Sequence, residues 1–238
     1  MQISGDRLKI IGHRGWPTRY PDNVLAGLEA AATVADMVEV DVRRTADGVL
    51  VLSHDPALGG SEVSSTAWPV LRELDLTDGH RPVSLEEALA ALPNFPFNLE
   101  IKNLPGEPGF EADNEIARDT AALARAGDLL TSFHWPTVDS IRPSHPQVAT
   151  GLLVDSGGSI TDAVGHALAQ GHLAVIPHWQ LARADSAAVA AAVEGGLTVA
   201  VWTLNDPAVA RELAALGVSA IITDDPGAMR RALKEQAG

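Results

Sequence analysis

The 238-residue chain predicts an α/β fold, a single-domain (β/α)8 TIM barrel over residues 1–238. Three observations carry this. Strand-like and helix-like segments alternate to the end of the chain in roughly eight β/α units, the length and rhythm of such a barrel. The strands are rich in Val, Leu and Ile, which fits a parallel sheet covered on both faces. No Pro/Gly/Ser-rich linker and no shift of composition divides the halves. An open doubly wound sheet is the alternative, and the lack of a Gly-x-Gly-x-x-Gly signature after the first strand counts against a dinucleotide fold.

The elements follow in order. Residues 8–13 read as the first strand and 23–35 as an Ala/Leu-rich helix. Residues 37–43 form the second strand, with an apolar strand at 49–54 close behind. The stretch 56–82 is the least regular and predicts a loop with at most a short helix near 68–74. A helix at 84–92 opens on Ser84-x-x-Glu87, which fits a capping box. Residues 97–103 are the third barrel strand, 111–126 a helix, and 129–134 a strand followed by a short helix. Strands at 148–154, 173–177, 198–203 and 220–223 complete the set, with helices near 160–170, 186–194, 207–216 and 226–234.

Two strands carry charges that a core does not absorb without a reason. Met37-Val38-Glu39-Val40-Asp41-Val42-Arg43 and Phe97-Asn98-Leu99-Glu100-Ile101-Lys102-Asn103 each put aliphatic side chains on one face. The other face takes Glu39, Asp41, Asn98, Glu100 and Lys102, because side chains alternate along a strand. Buried carboxylates are costly unless paired or bound to a cation. Three of them, Glu39, Asp41 and Glu100, suggest a divalent metal with oxygen ligands; Mg2+ and Ca2+ both suit such a set. Pairing with Arg14, Arg43 or Lys102 in a structural ion network is the bland alternative.

The first strand ends in Gly12-His13-Arg14-Gly15, and the strand 49–54 ends in Ser53-His54-Asp55. Two imidazoles can divide acid and base duties near neutral pH, and a hard cation can polarise a phosphoryl oxygen. These are the parts of a metal-assisted phosphodiester cleavage. In a barrel of this kind the site lies at the C-terminal ends of the strands, where these residues fall.

The run HRGWPTRYPDNVLAGLEAA, then VEVDVRRTADGVLVLSHDP, NLEIKN and VWTLND, resembles the glycerophosphodiester phosphodiesterase family over nearly the whole chain and in the family's order. Two stretches depart from the pattern. Pro21-Asp22-Asn23-Val24 stands where the family usually has Pro-Glu-Asn-Thr, and Val24 removes a hydroxyl from a helix start. Ala57-Leu58-Gly59-Gly60 stands where a polar Arg-Thr stretch often follows. The resemblance implies a phosphoric diester hydrolase that releases sn-glycerol 3-phosphate and an alcohol, using one divalent cation, Mg2+ or Ca2+. It implies His13 and His54 as the general acid–base pair, with Arg14 and Lys102 holding phosphate oxygens. It implies Glu39, Asp41 and Glu100 as metal ligands, and Trp202, with Phe133 and His134, along the substrate groove. It also implies that the short stretch after His54 leaves the entrance open. A phospholipase-type phosphodiesterase on the same barrel and a non-catalytic phosphodiester-binding protein are the alternatives.

Composition narrows the partners. Lys+Arg 17 against Asp+Glu 31 gives a formal net charge of −14, which argues against nucleic acid and against stable association with anionic membranes. Local positive charge at Arg14, Lys102 and the cation must then draw in a negative small-molecule diester. There are no cysteines, so neither a disulfide framework nor a thiolate site exists. The first seven residues show no secretory pattern, and no run reaches the length of a membrane span, so a cytoplasmic location is the expectation. His80, His145, His166, His172 and His178 show no metal-ligand spacing and read as surface or structural. No feature of the chain indicates an oligomeric state.

Overall fold

The structure is a computed structural model that describes residues 7–234. The leader reading rests chiefly on residues 1–6, which lie outside the described residues. The chain opens with β1 (Lys9–Gly12) and β2 (Met37–Arg44). Three short strands follow, β3 (Leu50–Leu52), β4 (Ala57–Leu58) and β5 (Ser61–Glu62). Then come β6 (Phe97–Ile101), β7 (Leu129–Ser132), β8 (Ala149–Val154), β9 (Ala174–Pro177), β10 (Thr198–Val201) and β11 (Ala220–Thr223). Strands β1, β2 and β6 to β11 pair in parallel, and β1 pairs with both β2 and β11, so the sheet closes on itself. This is the predicted (β/α)8 barrel.

Side-chain alternation sorts the core into two layers. Ile11, Met37, Leu129, Leu153, Ile176 and Ile222 face inward and form one apolar cluster. Ile10, Val38, Val40, Val42, Leu99 and Ile101 face outward and pack under the helices in a larger cluster. Burying each such side chain contributes about 1.5–3 kcal/mol. In β2 and β6, the inward positions beyond Met37 are polar, and they bring charge to the strand C-termini.

The helices are α1 (Leu25–Ala32), α2 (Trp68–Leu71), α3 (Leu85–Ala91), α4 (Glu115–Leu123), α5 (Trp135–Asp139), α6 (Ile160–Gln170), α7 (Trp179–Ala184), α8 (Ser186–Glu194), α9 (Pro207–Ala215) and α10 (Pro226–Lys234). The capping box at α3 is present: the Ser84 side chain accepts from the Glu87 backbone N–H, and the Glu87 carboxylate accepts from the Ser84 backbone N–H. Val24 at the start of α1 makes no side-chain cap, as its missing hydroxyl predicts.

β3, the strand close behind β2, is antiparallel to it and lies outside the barrel, in keeping with the count that makes 97–103 the third barrel strand. Other expectations are corrected. The stretch 56–82 holds more structure than a loop with one short helix. β4 and β5 form a hairpin whose tip residues, Gly59 and Gly60, have φ 53° and 83°. Such a two-residue turn demands positive φ, which explains the glycine pair. Helix α4 starts later than residue 111, because Asn114 before it takes φ 55° and breaks the helical path. Helix α7 forms where the sequence predicts no element, because its six residues are too few for a helical period to stand out.

Candidate active site

Gly12 and Gly15 bracket His13 and Arg14 for a steric reason. A Cβ on Gly12 would meet the Gly15 carbonyl oxygen at 2.4 Å. Arg14 has φ 50° and Gly15 φ 92°, so the chain turns sharply off β1. The turn delivers the Arg14 backbone N–H to Glu39 Oε2 at 2.9 Å. A non-glycine residue held at positive φ is strained, and such strain concentrates at functional sites.

Glu39, Asp41 and Glu100 are buried, and their ligand oxygens all lie within 4.8 Å of one another. The β2–β6 register sets Asp41 beside Glu100 and Glu39 beside Asn98. Burial, then the neighbouring Asp41 and Glu100 charges, push the Glu39 carboxyl well above its usual range. Burial and Asp41 also raise Glu100, while Lys102 and His54 draw it back.

Two cations do face this group. Arg14 Nε is 3.2 Å from Asp41 Oδ2, and Arg14 Nη1 donates to Asp22 at 2.7 Å. Lys102 Nζ donates to Glu100 Oε1 at 2.8 Å and sits 3.6 Å from Asp41 Oδ1. For Lys102, burial works against the charge, but Glu100 and Asp41 outweigh it and hold the ammonium above its usual value. The ion-network alternative is therefore present in part, though incomplete. Among the described residues, Glu39 Oε1 and Asp41 Oδ1 are buried and accept no hydrogen bond. Two unpartnered carboxylate oxygens, with the Glu100 carboxylate beside them, fit a hard divalent cation with oxygen ligands.

Both histidines are held through Nδ1. His13 Nδ1 lies 2.7 Å from Asp224 Oδ1, and Asn205 Nδ2 donates to Asp224 Oδ2 at 2.6 Å. The hydrogen bond with His13 is the main cause that keeps the Asp224 carboxyl below its usual range. His54 Nδ1 lies 2.8 Å from Asp55 Oδ1, on a more exposed side chain. The His54 carbonyl accepts from Arg43 Nε at 3.1 Å and Nη2 at 2.8 Å, and Arg43 also pairs with Glu107. His54 is thus positioned through its backbone by the buried Arg43 of β2.

Phe133 and Trp202 meet edge to face, with ring centroids 5.1 Å apart, and Lys102 Nζ lies 5.9 Å from the Phe133 centroid. Trp202 Nε1 donates to the Ile176 carbonyl at 3.1 Å, and His178 meets the indole edge to face with centroids 5.3 Å apart. His134 is occupied elsewhere, with Nδ1 2.9 Å from the Thr137 hydroxyl and its ring against Phe110. The structure joins Arg14, Glu39, Asp41, Glu100, Lys102, Phe133 and Trp202 by direct contacts, with His13 following β1 beside Arg14.

Residues that the sequence reading did not single out complete the arrangement. Asn23, at φ 59°, donates from Nδ2 to Asp41 Oδ2 at 2.9 Å. Asp224 follows Thr223, the last residue of β11, and its place at a strand end is the signal that could have found it.

A closed barrel with carboxylates, basic side chains and two anchored imidazoles at its strand ends defines the class, a phosphoric diester hydrolase. The model of the glycerophosphoryl diester phosphodiesterase family matches residues 13–228, and the chain belongs to that family. A glycerophosphodiester phosphodiesterase of Caldanaerobacter subterraneus subsp. tengcongensis is 25% identical over 233 residues, covering 91% of this chain and 94% of that protein. The crystal structure of a glycerophosphodiester phosphodiesterase from Parabacteroides distasonis is 26% identical with a TM-score of 0.83, covering 99% of this chain and all of that one (100%). An Oleispira antarctica phosphodiesterase, solved in complex with the product sn-glycerol-3-phosphate, shares the fold at a TM-score of 0.84 and 23% identity, covering 95% of this chain and 96% of that one.

Proposed function

We propose that this chain hydrolyses glycerophosphodiesters to sn-glycerol 3-phosphate and an alcohol at the site built on Glu39, Asp41 and Glu100. The observation that carries the reading is the pair of buried, unpartnered oxygens, Glu39 Oε1 and Asp41 Oδ1, beside Arg14 and Lys102. The product held by the Oleispira relative supports the choice of substrate.

Glu39, Asp41 and Glu100 would hold one divalent cation, Mg2+ or Ca2+, which supplies Lewis-acid polarisation of a phosphoryl oxygen. Arg14 and Lys102 bind the remaining phosphate oxygens and stabilise charge that builds on them. Asp224 and Asp55 each accept from Nδ1–H, so His13 and His54 present Nε2 for proton transfer. One imidazole takes the proton of the nucleophile as its oxygen bonds to phosphorus; water gives sn-glycerol 3-phosphate directly, whereas the glycerol 2-hydroxyl gives a cyclic phosphate that water then opens to the same product. The other gives a proton to the departing alkoxide as the ester P–O bond breaks. Phe133 and Trp202 pack on the glycerol carbons and orient them.

The test is direct. The protein, glycerophosphocholine and Mg2+ or Ca2+ are incubated, and sn-glycerol 3-phosphate is detected with a coupled dehydrogenase. Release should be rapid for the wild type and near background for a His13→Ala/His54→Ala variant. Equal release by both would overturn the reading.

A further inference from the structure

A second group of ligand-bearing side chains lies in the outer layer, at the other end of the barrel. Asp139 closes α5, His166 belongs to α6, and His172 stands two residues before β9. Their ligand atoms lie within 4.8 Å of one another. His172 Nε2 is 2.8 Å from Asp139 Oδ1, and His166 Nε2 is 3.0 Å from both Oδ1 and Oδ2. The two rings stack with centroids 6.0 Å apart and planes 11° from parallel. Local spacing hid this group, because three separate elements supply it.

The separations as they stand are those of hydrogen bonds, and the ligand atoms would part by a few tenths of an ångström around an ion. What points to an ion is the convergence of the three side chains. Both imidazoles turn the same nitrogen toward the same carboxylate, and among the described residues Asp139 has no Lys or Arg in salt-bridge range. His172 is further held by its far nitrogen: Nδ1 is 2.7 Å from the hydroxyl of Thr150, which is buried. A metal-ligating histidine is oriented by such a partner on its other nitrogen. The His172 side chain is fully buried, whereas His166 and Asp139 are 30% and 26% exposed, which leaves a path for an ion and a position for water.

We propose that Asp139, His166 and His172 bind a divalent cation of the Zn2+ class, distinct from the cation at the strand-end carboxylates. Two imidazoles and one carboxylate suit Zn2+ and its neighbours, and do not suit Mg2+ or Ca2+, which take oxygen ligands. The role is structural. Thr150 is the second residue of β8 and His172 precedes β9, so the site lies toward the N-terminal ends of the strands, where a barrel builds stability and not chemistry. The ion clamps the end of α5 to the end of α6.

The test uses the whole chain, stripped with a chelator and then saturated with Mg2+ so that the strand-end carboxylates are filled. Zn2+ is titrated by calorimetry, Co2+ by visible absorption, and the melting temperature is recorded with and without Zn2+. The wild type should take up one equivalent of Zn2+, give Co2+ ligand-field bands of a nitrogen-containing site, and melt higher with the ion, because a ligand of the folded state stabilises it. His166→Ala, a change at a part-exposed position, should lose the equivalent and the thermal shift while keeping its circular dichroism and Mg2+-supported activity. Glu39→Gln should keep both the equivalent and the shift. No Zn2+ uptake, uptake that survives in His166→Ala, uptake lost in Glu39→Gln, or binding without a rise in melting temperature would each overturn the proposal.

Discussion

Asp41 and Glu100 stand directly beside one another in the β2–β6 register, and the Lys102 ammonium lies 2.8 Å from Glu100 and 3.6 Å from Asp41. Like charges placed opposite each other across a sheet destabilise it. One ammonium between them relieves part of that repulsion, and Glu39 adds a further buried carboxylate. A group of carboxylates held against their own repulsion at strand ends makes this the candidate site.

Removing divalent ions should therefore abolish turnover. The protein is treated with EDTA, freed of chelate, and assayed on glycerophosphocholine with and without added Mg2+ or Ca2+. Activity should vanish and return with one of these ions. Full turnover in a sample shown to be metal-free by elemental analysis would contradict the assignment of Glu39, Asp41 and Glu100.

Glu39→Gln should trade activity for stability. Burial raises the Glu39 carboxyl above its ordinary value of 4.5, so the folded chain holds that proton more tightly than the unfolded one. The metal-free wild type should then lose stability as pH rises through 4.5 toward the raised folded value, and Gln removes that dependence. At neutral pH the metal-free variant should be more stable by about 1 kcal/mol or more, and it should lose cation-dependent turnover. Denaturant unfolding at several pH values checks this; equal pH profiles for the two proteins would refute it.

His13→Ala and His54→Ala should each lower kcat by about 10² to 10⁴ with substrate binding preserved. Asp224→Asn should lower kcat less than His13→Ala, by about tenfold to a hundredfold, since it frees the imidazole without removing it. Asp224 titrates below its ordinary 3.8, so its pairing stabilises the fold above that pH and is lost as pH falls through the lowered value. Asp224→Asn should flatten this acid limb. Wild-type turnover in either alanine variant would exclude that histidine from proton transfer.

Trp202→Ala should lower kcat/KM for glycerophosphodiesters by about 1–3 kcal/mol of transition-state stabilisation. The minimal diester bis(p-nitrophenyl) phosphate has no glycerol for the ring to orient and should lose much less. Because Trp202 Nε1 also donates to the Ile176 carbonyl, the melting temperature is measured alongside. Equal losses on both substrates with a lowered midpoint would make Trp202 a packing residue of the rim.

Soluble diesters should be turned over far faster than phosphatidylcholine vesicles. No helix among the described residues is long and apolar enough to cross a membrane, and the chain carries a net charge of −14. Faster cleavage of vesicles would favour the phospholipase reading.

The barrel and the inward carboxylates were legible because both follow from local alternation. Val38, Val40 and Val42 against Glu39 and Asp41 announce two faces without any knowledge of what lies opposite. What pairs across the barrel is not local. Asp224 reaches His13 from 211 positions away, and Asn205 reaches Asp224 from the preceding strand's end, so no window of sequence holds both partners. The same holds for Asp139, His166 and His172, which show no ligand spacing until α5, α6 and β9 pack together. Arg43 reads as a strand-end base, but only the turn back through β3 brings the His54 carbonyl within its reach.

The pairing of β1 with β11 has a consequence for how the chain matures. Synthesis delivers His13 long before Asp224, so a ribosome-bound chain that lacks β11 has an open sheet and an untethered imidazole. With His13 in the proposed proton-transfer role, premature termination before β11 should yield an inert product, not a partly active one. Closure of the ring thus couples the anchoring of His13 to completion of the barrel.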